Sequence, residues 1–223
     1  LRVIMPFMWV AKTGSDSNSG LSEASPKLTI GAALAYIGTT AGAGANWTVE
    51  VAVGIYDERF IGNIPKGSSW NSPFTLRAKT GDLVTIKSTN TDGYANFYFS
   101  GGGNHYSIID GFIIDGSIVQ NSNIYIQAAS YIRFVNIESK DSTCNHFYVY
   151  VDTTGIEILN SKIHDGTMFC GGLHAHGIYF SGSNGLIEGN DIYNVQGFGV
   201  HIYADPGYPQ MPSNNIVRRR NEP

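Results

Sequence analysis

The chain has 223 residues, a formal net charge of −4 and only 14% charged residues, against roughly 25% in an average soluble domain. Its 24 Ile against 9 Leu, with 27 Gly and 18 Asn, favour short strands joined by tight turns: Ile packs well on a pleated surface, and Gly and Asn tolerate positive φ. This excludes a helical bundle and a coiled coil, gives no electrostatic basis for nucleic-acid binding, and leaves no apolar run near the roughly 18 residues that span a bilayer. A hydrophobic content of 42% is enough for one packed β-rich domain.

Taken in chain order, the first stretch, Val3 to Val10, is apolar but lacks the charged start, longer core and small-residue cleavage site of a signal peptide. With Leu1 in place of Met, it is read as the start of a mature or truncated chain. Ser25-Pro26 followed by Ile30, Ala32, Ala33, Leu34 and Ile37 predicts a helix with Ser25 as N-cap and Pro26 as first helical residue. Strands are predicted at Val49 to Val53, Phe74 to Ala78 and Leu83 to Ile86.

From Phe97 a unit recurs. Apolar–aromatic–apolar triplets stand at Phe97-Tyr98-Phe99, Ile124-Tyr125-Ile126, Phe147-Tyr148-Val149, Ile178-Tyr179-Phe180 and Val200-His201-Ile202, spaced 27, 23, 31 and 22 residues apart. Pairs of the form Ile-x4-Ile accompany them at Ile109/Ile114, Ile132/Ile137, Ile158/Ile163 and Ile187/Ile192, with turn residues such as Asp110-Gly111, Asn160-Ser161 and Gly189-Asn190 inside. A period this short with no helix between strands predicts a β-solenoid, in which each coil buries its apolar face only by stacking on the next. A leucine-rich repeat would need a Leu ladder, and a propeller needs blades of about 40 residues. The expected organisation is one domain, residues 1–223: an N-terminal strand and a helix capping the open core over 1–48, then coils over 49–223, the last of them incomplete. An incomplete coil exposes a row of strand edges that invites end-to-end self-association.

Alternation along the triplets puts Tyr98, Tyr125, Tyr148, Tyr179 and His201 on one outward face. At about 4.8 Å per coil the stripe would be roughly 20 Å long. It suits an extended polysaccharide, because sugar rings stack on aromatic faces while their hydroxyls bond to phenols; it equally suits a ladder that only stabilises the sheet. The longest inter-coil insertion, Asp165 to Ala175, brings Cys170, Gly171-Gly172 and His174 before His176, with His201 in the register position beside Tyr179. The candidate catalytic set is His176, Tyr179 and His201, with His as proton acceptor and Tyr as donor to a leaving oxygen. Tyr98, Tyr125, Tyr148, His174 and Asp205 are the candidate substrate-binding residues. The His-x-His pair lacks a third ligand nearby, so no metal ligand is assigned. Cys144 and Cys170 are either a disulfide or two buried thiols. Asp110, Asp115, Asp152, Asp165 and Asp191 read as turn residues, and Arg218-Arg219-Arg220 as a solvated tail. There is no G-x-S-x-G elbow and no phosphate-binding glycine loop.

The stretch Val10-Ala11-Lys12-Thr13-Gly14-Ser15-Asp16-Ser17-Asn18-Ser19-Gly20, then Ser25-Pro26-Lys27-Leu28-Thr29-Ile30 and Gly54-Ile55-Tyr56-Asp57-Glu58, resembles the N-terminal region of secreted bacterial proteins of the pectate-lyase-like superfamily. His176-Gly177-Ile178-Tyr179 and Leu186-Ile187-Glu188-Gly189-Asn190-Asp191-Ile192-Tyr193 look like repeat coils of the same group. The resemblance implies a right-handed parallel β-helix, an extracellular location and a polysaccharide partner, without nucleic acid or membrane. It also implies a lyase reaction, β-elimination, in which a base removes the proton α to a uronate carboxylate whose charge is neutralised by Ca²⁺, Arg or Lys. Ca²⁺ is the one cofactor it suggests. The same scaffold carries glycoside hydrolases, uronate epimerases and non-catalytic carbohydrate-binding or structural proteins, and these are the alternative functions. The chain departs from the usual lyase pattern in having no Lys or Arg in the tyrosine register.

Overall fold

A computed structural model describes residues 6–39, 42–119, 121–166, 175–204 and 212–218. They form an all-β parallel solenoid of three sheets, of eight, six and six strands. The first sheet stacks Phe7–Val10, Thr48–Val51, Phe74–Ala78, Asn104–Asp110, Ser130–Val135, Glu157–Leu159, Leu186–Glu188 and Ile216–Arg218. The second stacks Gly54–Tyr56, Val84–Ile86, Ile113–Asp115, Glu138–Lys140, Lys162–His164 and Asp191–Tyr193; the third stacks Phe60–Ile61, Phe97–Phe99, Ile124–Ile126, Phe147–Val149, Ile178–Phe180 and Val200–Ile202. Each coil visits the three sheets in that order, giving six three-strand turns. The bend from first to second sheet uses Gly111, Asn136, Asn160 and Gly189 at φ of 79°, 55°, 48° and 69°, the left-handed region that Gly and Asn enter at least cost.

The core consists of ranks running along the solenoid. In the first sheet the rank is Met8, Val49, Leu76, Ile109, Phe134, Ile158 and Ile187, continued in register by the exposed Val217. In the second it is Tyr56, Ile86, Ile114, Ser139, Ile163 and Ile192. Three of the four Ile pairs predicted from the sequence stand in these ranks. In the remaining coil the in-register residues are Phe134 and Ser139, not Ile132 and Ile137. Two residues, His105 and Tyr106, face the single Tyr131 across a bulge, so that Ile132 pairs with Ser107 and Phe134 with Ile109. Ile132 and Ile137 remain buried, two positions earlier.

The helix Ile30–Ile37 packs on Phe7–Val10 and Thr48–Val51 and buries Ile30, Ala33 and Leu34. Its N-cap is Thr29, whose side chain accepts from the Ala32 N–H at 3.1 Å; Ser25 and Pro26 lie upstream. The start is delayed because Lys27 pairs with the first strand, its N–H donating to the Trp9 carbonyl at 2.9 Å. Asp16 holds the next residues extended by accepting from the Leu28 and Thr29 N–H groups at 3.0 and 2.9 Å. Glu58 then accepts the Ile30 and Gly31 N–H groups at 2.9 and 2.7 Å, placing a carboxylate where a helix leaves donors unsatisfied. Arg218, expected in a solvated tail, ends the last described strand and pairs with Glu188 at 3.0 Å.

Just before the third sheet the interior turns polar. Asn96, Asn123 and His146 are buried at successive coils. Asn96 Nδ2 donates to the Asp115 carbonyl at 3.2 Å, and Asn123 Nδ2 to Ser139 Oγ at 2.9 Å. Ser139 Oγ lies 3.0 Å from His146 Nδ1. Burial, with His164 nearby, pushes His146 down to about 3; burial, with Lys66, pushes His105 down to about 4. Both are therefore folded as neutral rings and unfold into groups that titrate near their ordinary value of 6.5. Their contribution to stability is present above pH 6.5 and is lost as pH falls toward about 4 and about 3. Melting temperature will accordingly start to fall below about pH 6.5. Calorimetry from pH 8 to 4 checks this, with His105→Phe flattening the slope; an unchanged slope contradicts the assignment to His105.

Candidate functional site

Backbone pairing sets the face of the third sheet. Tyr98 pairs with Tyr125, Tyr125 with Tyr148, Tyr148 with Tyr179 and Tyr179 with His201. All five side chains are half-buried; the residues flanking the four tyrosines fill the core, so the tyrosines point outward, and His201 follows them in register. The ring centroids of Tyr125 and Tyr148 lie 4.8 Å apart at 13°, and those of Tyr148 and Tyr179 4.9 Å apart at 3°. Their faces are thus spent on one another, and they present edges and phenol oxygens outward. This limits the stacking of sugars expected from the sequence to the ends of the ladder.

At one end Tyr98 stands at 82° to Tyr125 with centroids 5.0 Å apart, and its phenol donates to Gln127 Oε1 at 3.0 Å. Tyr94 lies 5.8 Å from it. A cleft of about 200 Å³ opens here, lined by Gly93, Tyr94, Ala95, Tyr98, Asn121 and Tyr125. Tyr94 is exposed and has the Arg59 guanidinium 5.6 Å from its ring centroid, Arg59 being paired in turn with Asp92. Tyr94 and Asn121 had no signal in the triplet pattern, because both precede the strands and reach the ladder only through the loops.

At the other end the ladder meets two histidines. His201 lies at 82° to Tyr179 with centroids 5.2 Å apart. His201 Nδ1 is 3.1 Å from His176 Nε2, and His176 Nδ1 accepts the Phe198 N–H at 2.8 Å. The backbone donor fixes the tautomers. His176 Nδ1 carries no proton, so neutral His176 is protonated at Nε2 and donates to His201 Nδ1, leaving His201 with its proton on Nε2. His201 is therefore a donor in its resting state, where the sequence reading makes histidine the acceptor. His176 is 8% exposed and reaches the surface of the ladder through His201. The backbone beside it is close: a Cβ at Gly197 would overlap His176 Nδ1 and approach the Ala175 carbonyl to 2.9 Å. His174 and Asp205, expected to help bind substrate, lie outside the described residues, as does Cys170. Cys144 is disulfide-bonded.

Around the corner on the second sheet lies a charged cluster that the sequence reading did not assemble. Asp115 Oδ2 receives Lys87 Nζ at 3.0 Å and Lys140 Nζ at 3.5 Å, and Lys140 also pairs with Asp141 at 3.2 Å. Burial alone would raise Asp115, but the Ser117 hydrogen bonds and the two ammonium groups outweigh it and hold the carboxyl at about 2. Lys87 and Asp115 come together because Ile86 and Ile114 pair in adjacent coils, a register invisible in local sequence. Beyond them, His164 bridges Asp165 at 2.7 Å and Glu138 at 3.2 Å and stacks on Tyr193 at 4.9 Å.

These groups pair with one another rather than converge on an ion. Ca²⁺ takes six to eight oxygen ligands, and no group of three or more His, Cys, Asp or Glu side chains is placed to hold a metal ion among the described residues. Asp152, read from the sequence as a turn residue, accepts the Ala128 N–H at 2.7 Å. No helix among the described residues is long and apolar enough to cross a membrane.

No protein-family model and no curated protein matches the chain. A solved structure does: the crystal structure of pectate lyase Pel9A is similar over 90% of this chain, with a TM-score of 0.70 and 17% sequence identity. The chain covers 50% of that protein's length. The parallel coils, the in-register ranks and this match together establish that the chain has the pectate-lyase-like β-helix fold.

Proposed function

We propose that the chain is a polysaccharide-active β-helix protein that binds an extended acidic polysaccharide along the third sheet and cleaves it by β-elimination at the His201 end. One observation carries the reading: a ladder of four tyrosines in register, one per coil, that ends on a histidine whose tautomer a second histidine fixes. The repeat of about 4.8 Å per coil offers a row of phenol groups to successive sugar units, and the Tyr94–Tyr98 cleft offers ring faces to the far end of the chain. At the reacting unit, His201 Nε2–H hydrogen-bonds the uronate carboxylate and stabilises the charge that develops when the α-proton leaves. Tyr179, its phenol proton first released to solvent, takes that proton from C5 as the C5–H bond breaks. The double bond forms between C4 and C5, the C4–O bond breaks, and the phenol returns the proton to the leaving oxygen. Positioning His176 behind His201 keeps the donor in place through the cycle.

In this reading the coils wind right-handedly, the helix Ile30–Ile37 caps the N-terminal end of the core, and the protein works outside the cell. The disulfide at Cys144 supports an oxidising compartment. A second reading, a non-catalytic binder, is favoured by the mutual stacking of Tyr125, Tyr148 and Tyr179. It is also favoured by the absence, among the described residues, of a Lys or Arg in the tyrosine register. Incubation with polygalacturonate, alginate and other polyuronates, with and without Ca²⁺, separates the two. A rise in absorbance near 235 nm reports the unsaturated uronate and establishes elimination. A flat trace with retained affinity for the same polymers leaves the binder.

A further inference from the structure

On a different sheet from the tyrosine ladder, the N-terminal loop folds over the outer face of the first sheet and encloses a pocket of about 320 Å³. Trp9, Thr13, Asn18, Glu23, Glu50 and Lys79 are among its lining residues. The loop is pinned on both sides of Trp9: the Trp9 N–H donates to the Gly20 carbonyl at 2.8 Å, and the Lys27 N–H to the Trp9 carbonyl at 2.9 Å. Asn18 Nδ2 holds the Pro26 carbonyl at 2.9 Å. The pocket is thus preformed, which removes an ordering cost from binding.

Its polar groups are matched in charge. Lys79 pairs with Glu23, and Arg77 pairs with Glu50 at 2.7 Å. Both Arg77 contacts go to Glu50 Oε2, with Nε at 2.9 Å. Glu50 is 6% exposed, and its other oxygen, Oε1, has no hydrogen-bond donor among the described residues. A mostly buried carboxylate whose Oε1 still reaches solvent, beside an indole ring and a threonine and an asparagine side chain, suits a ligand that brings hydroxyl donors and an apolar face. An anion is disfavoured: two carboxylates line the pocket, and its one lining ammonium, Lys79, is already paired.

We infer that this pocket is a second carbohydrate subsite, taking a pyranose unit of a neutral polysaccharide against Trp9 with its hydroxyls on Glu50 and Asn18. It stands on the opposite charge logic from the ladder, which is proposed for an acidic chain, and it does not depend on that proposal.

The test is affinity electrophoresis of the native protein in gels containing xyloglucan, mixed-linkage β-glucan, galactomannan or arabinogalactan, with polygalacturonate as the acidic comparison. At least one neutral polymer will retard the wild type. Trp9→Ala will weaken that retardation by about tenfold or more, Trp9→Phe will keep most of it, and polygalacturonate will retard all three alike. Because Trp9→Ala removes a packed ring, a folded reporter runs in parallel: Trp47→Phe/Trp70→Phe leaves Trp9 as the sole tryptophan, whose emission will shift saturably with the retarding polymer. Failure of all four neutral polymers to retard the wild type, equal retardation of Trp9→Ala, or an unchanged Trp9 emission each overturns the assignment. A loss of polyuronate cleavage with neutral retardation intact would overturn only the proposed elimination.

Discussion

Replacing His201 by alanine will lower the rate of polyuronate elimination by about 10²–10⁴-fold, the range typical of a positioned proton donor or acceptor, and will leave the melting temperature nearly unchanged. The stability expectation follows from placement: His201 is half-buried on the outer face, and its one hydrogen bond among the described residues is to His176. His176→Ala acts differently. His176 is buried and accepts the Phe198 N–H, so its loss frees His201 to adopt the other tautomer, and the pH profile broadens as well as falling. Tyr148→Ala removes a mid-ladder ring stacked on both sides and, with it, a phenol proposed to hold a sugar away from the reacting bond, so KM is expected to rise more than kcat falls. Initial rates near 235 nm across pH for the three variants check the set. Full activity in His201→Ala would remove the donor role and with it the elimination mechanism drawn here.

The ladder was legible in the sequence because it depends on two local facts, strand alternation and a recurrent triplet, and pairing of Tyr98 through His201 follows from both. The left-handed turns at Gly111, Asn160 and Gly189 were legible for the same reason. What failed was anything requiring register between coils of unequal length. The bulge at His105 and Tyr106 shifts the register by one residue and sets Phe134 beside Ile109, which Ile132 and Ile137 conceal because each has the correct residue type two positions before the rank. The Lys87–Asp115–Lys140 cluster draws on three coils, and its members look like isolated turn charges in a linear reading. The tautomer of His201 was out of reach, since it rests on the backbone N–H of Phe198 acting through His176. No residue pattern encodes that. The helix start moved from Ser25 to Thr29 because Asp16, more than ten positions upstream, and the first strand compete for residues 27–29.

Ser139→Ile, which would complete the isoleucine rank of the second sheet between Ile114 and Ile163, will destabilise the protein by about 2–3 kcal/mol. The rank suggests the opposite, since an aliphatic side chain there would bury more apolar area. Two physical effects decide the sign. Asn123 Nδ2 donates to Ser139 Oγ, which in turn is hydrogen-bonded to His146 Nδ1, so Ser139 is the middle of a chain of buried bonds. Removing it leaves His146 Nδ1 without its partner in an interior where both residues are fully buried, and an unsatisfied buried group costs about 1–3 kcal/mol. The larger side chain also crowds a packed rank. Asn123 is less affected, since it keeps the Ile114 and Lys140 carbonyls at 3.2 and 3.1 Å. For a domain of this size the melting temperature should fall by about 4–12 °C. Ser139→Ala separates the two effects, because it breaks the same bonds without adding volume. Adding His146→Phe to Ser139→Ile removes the stranded polar group and should return much of the loss, making the pair strongly non-additive. Calorimetry of the four proteins decides it. If Ser139→Ile melts at or above the wild-type temperature, the polar column is dispensable, and the single serine in the rank marks only a position the packing leaves small.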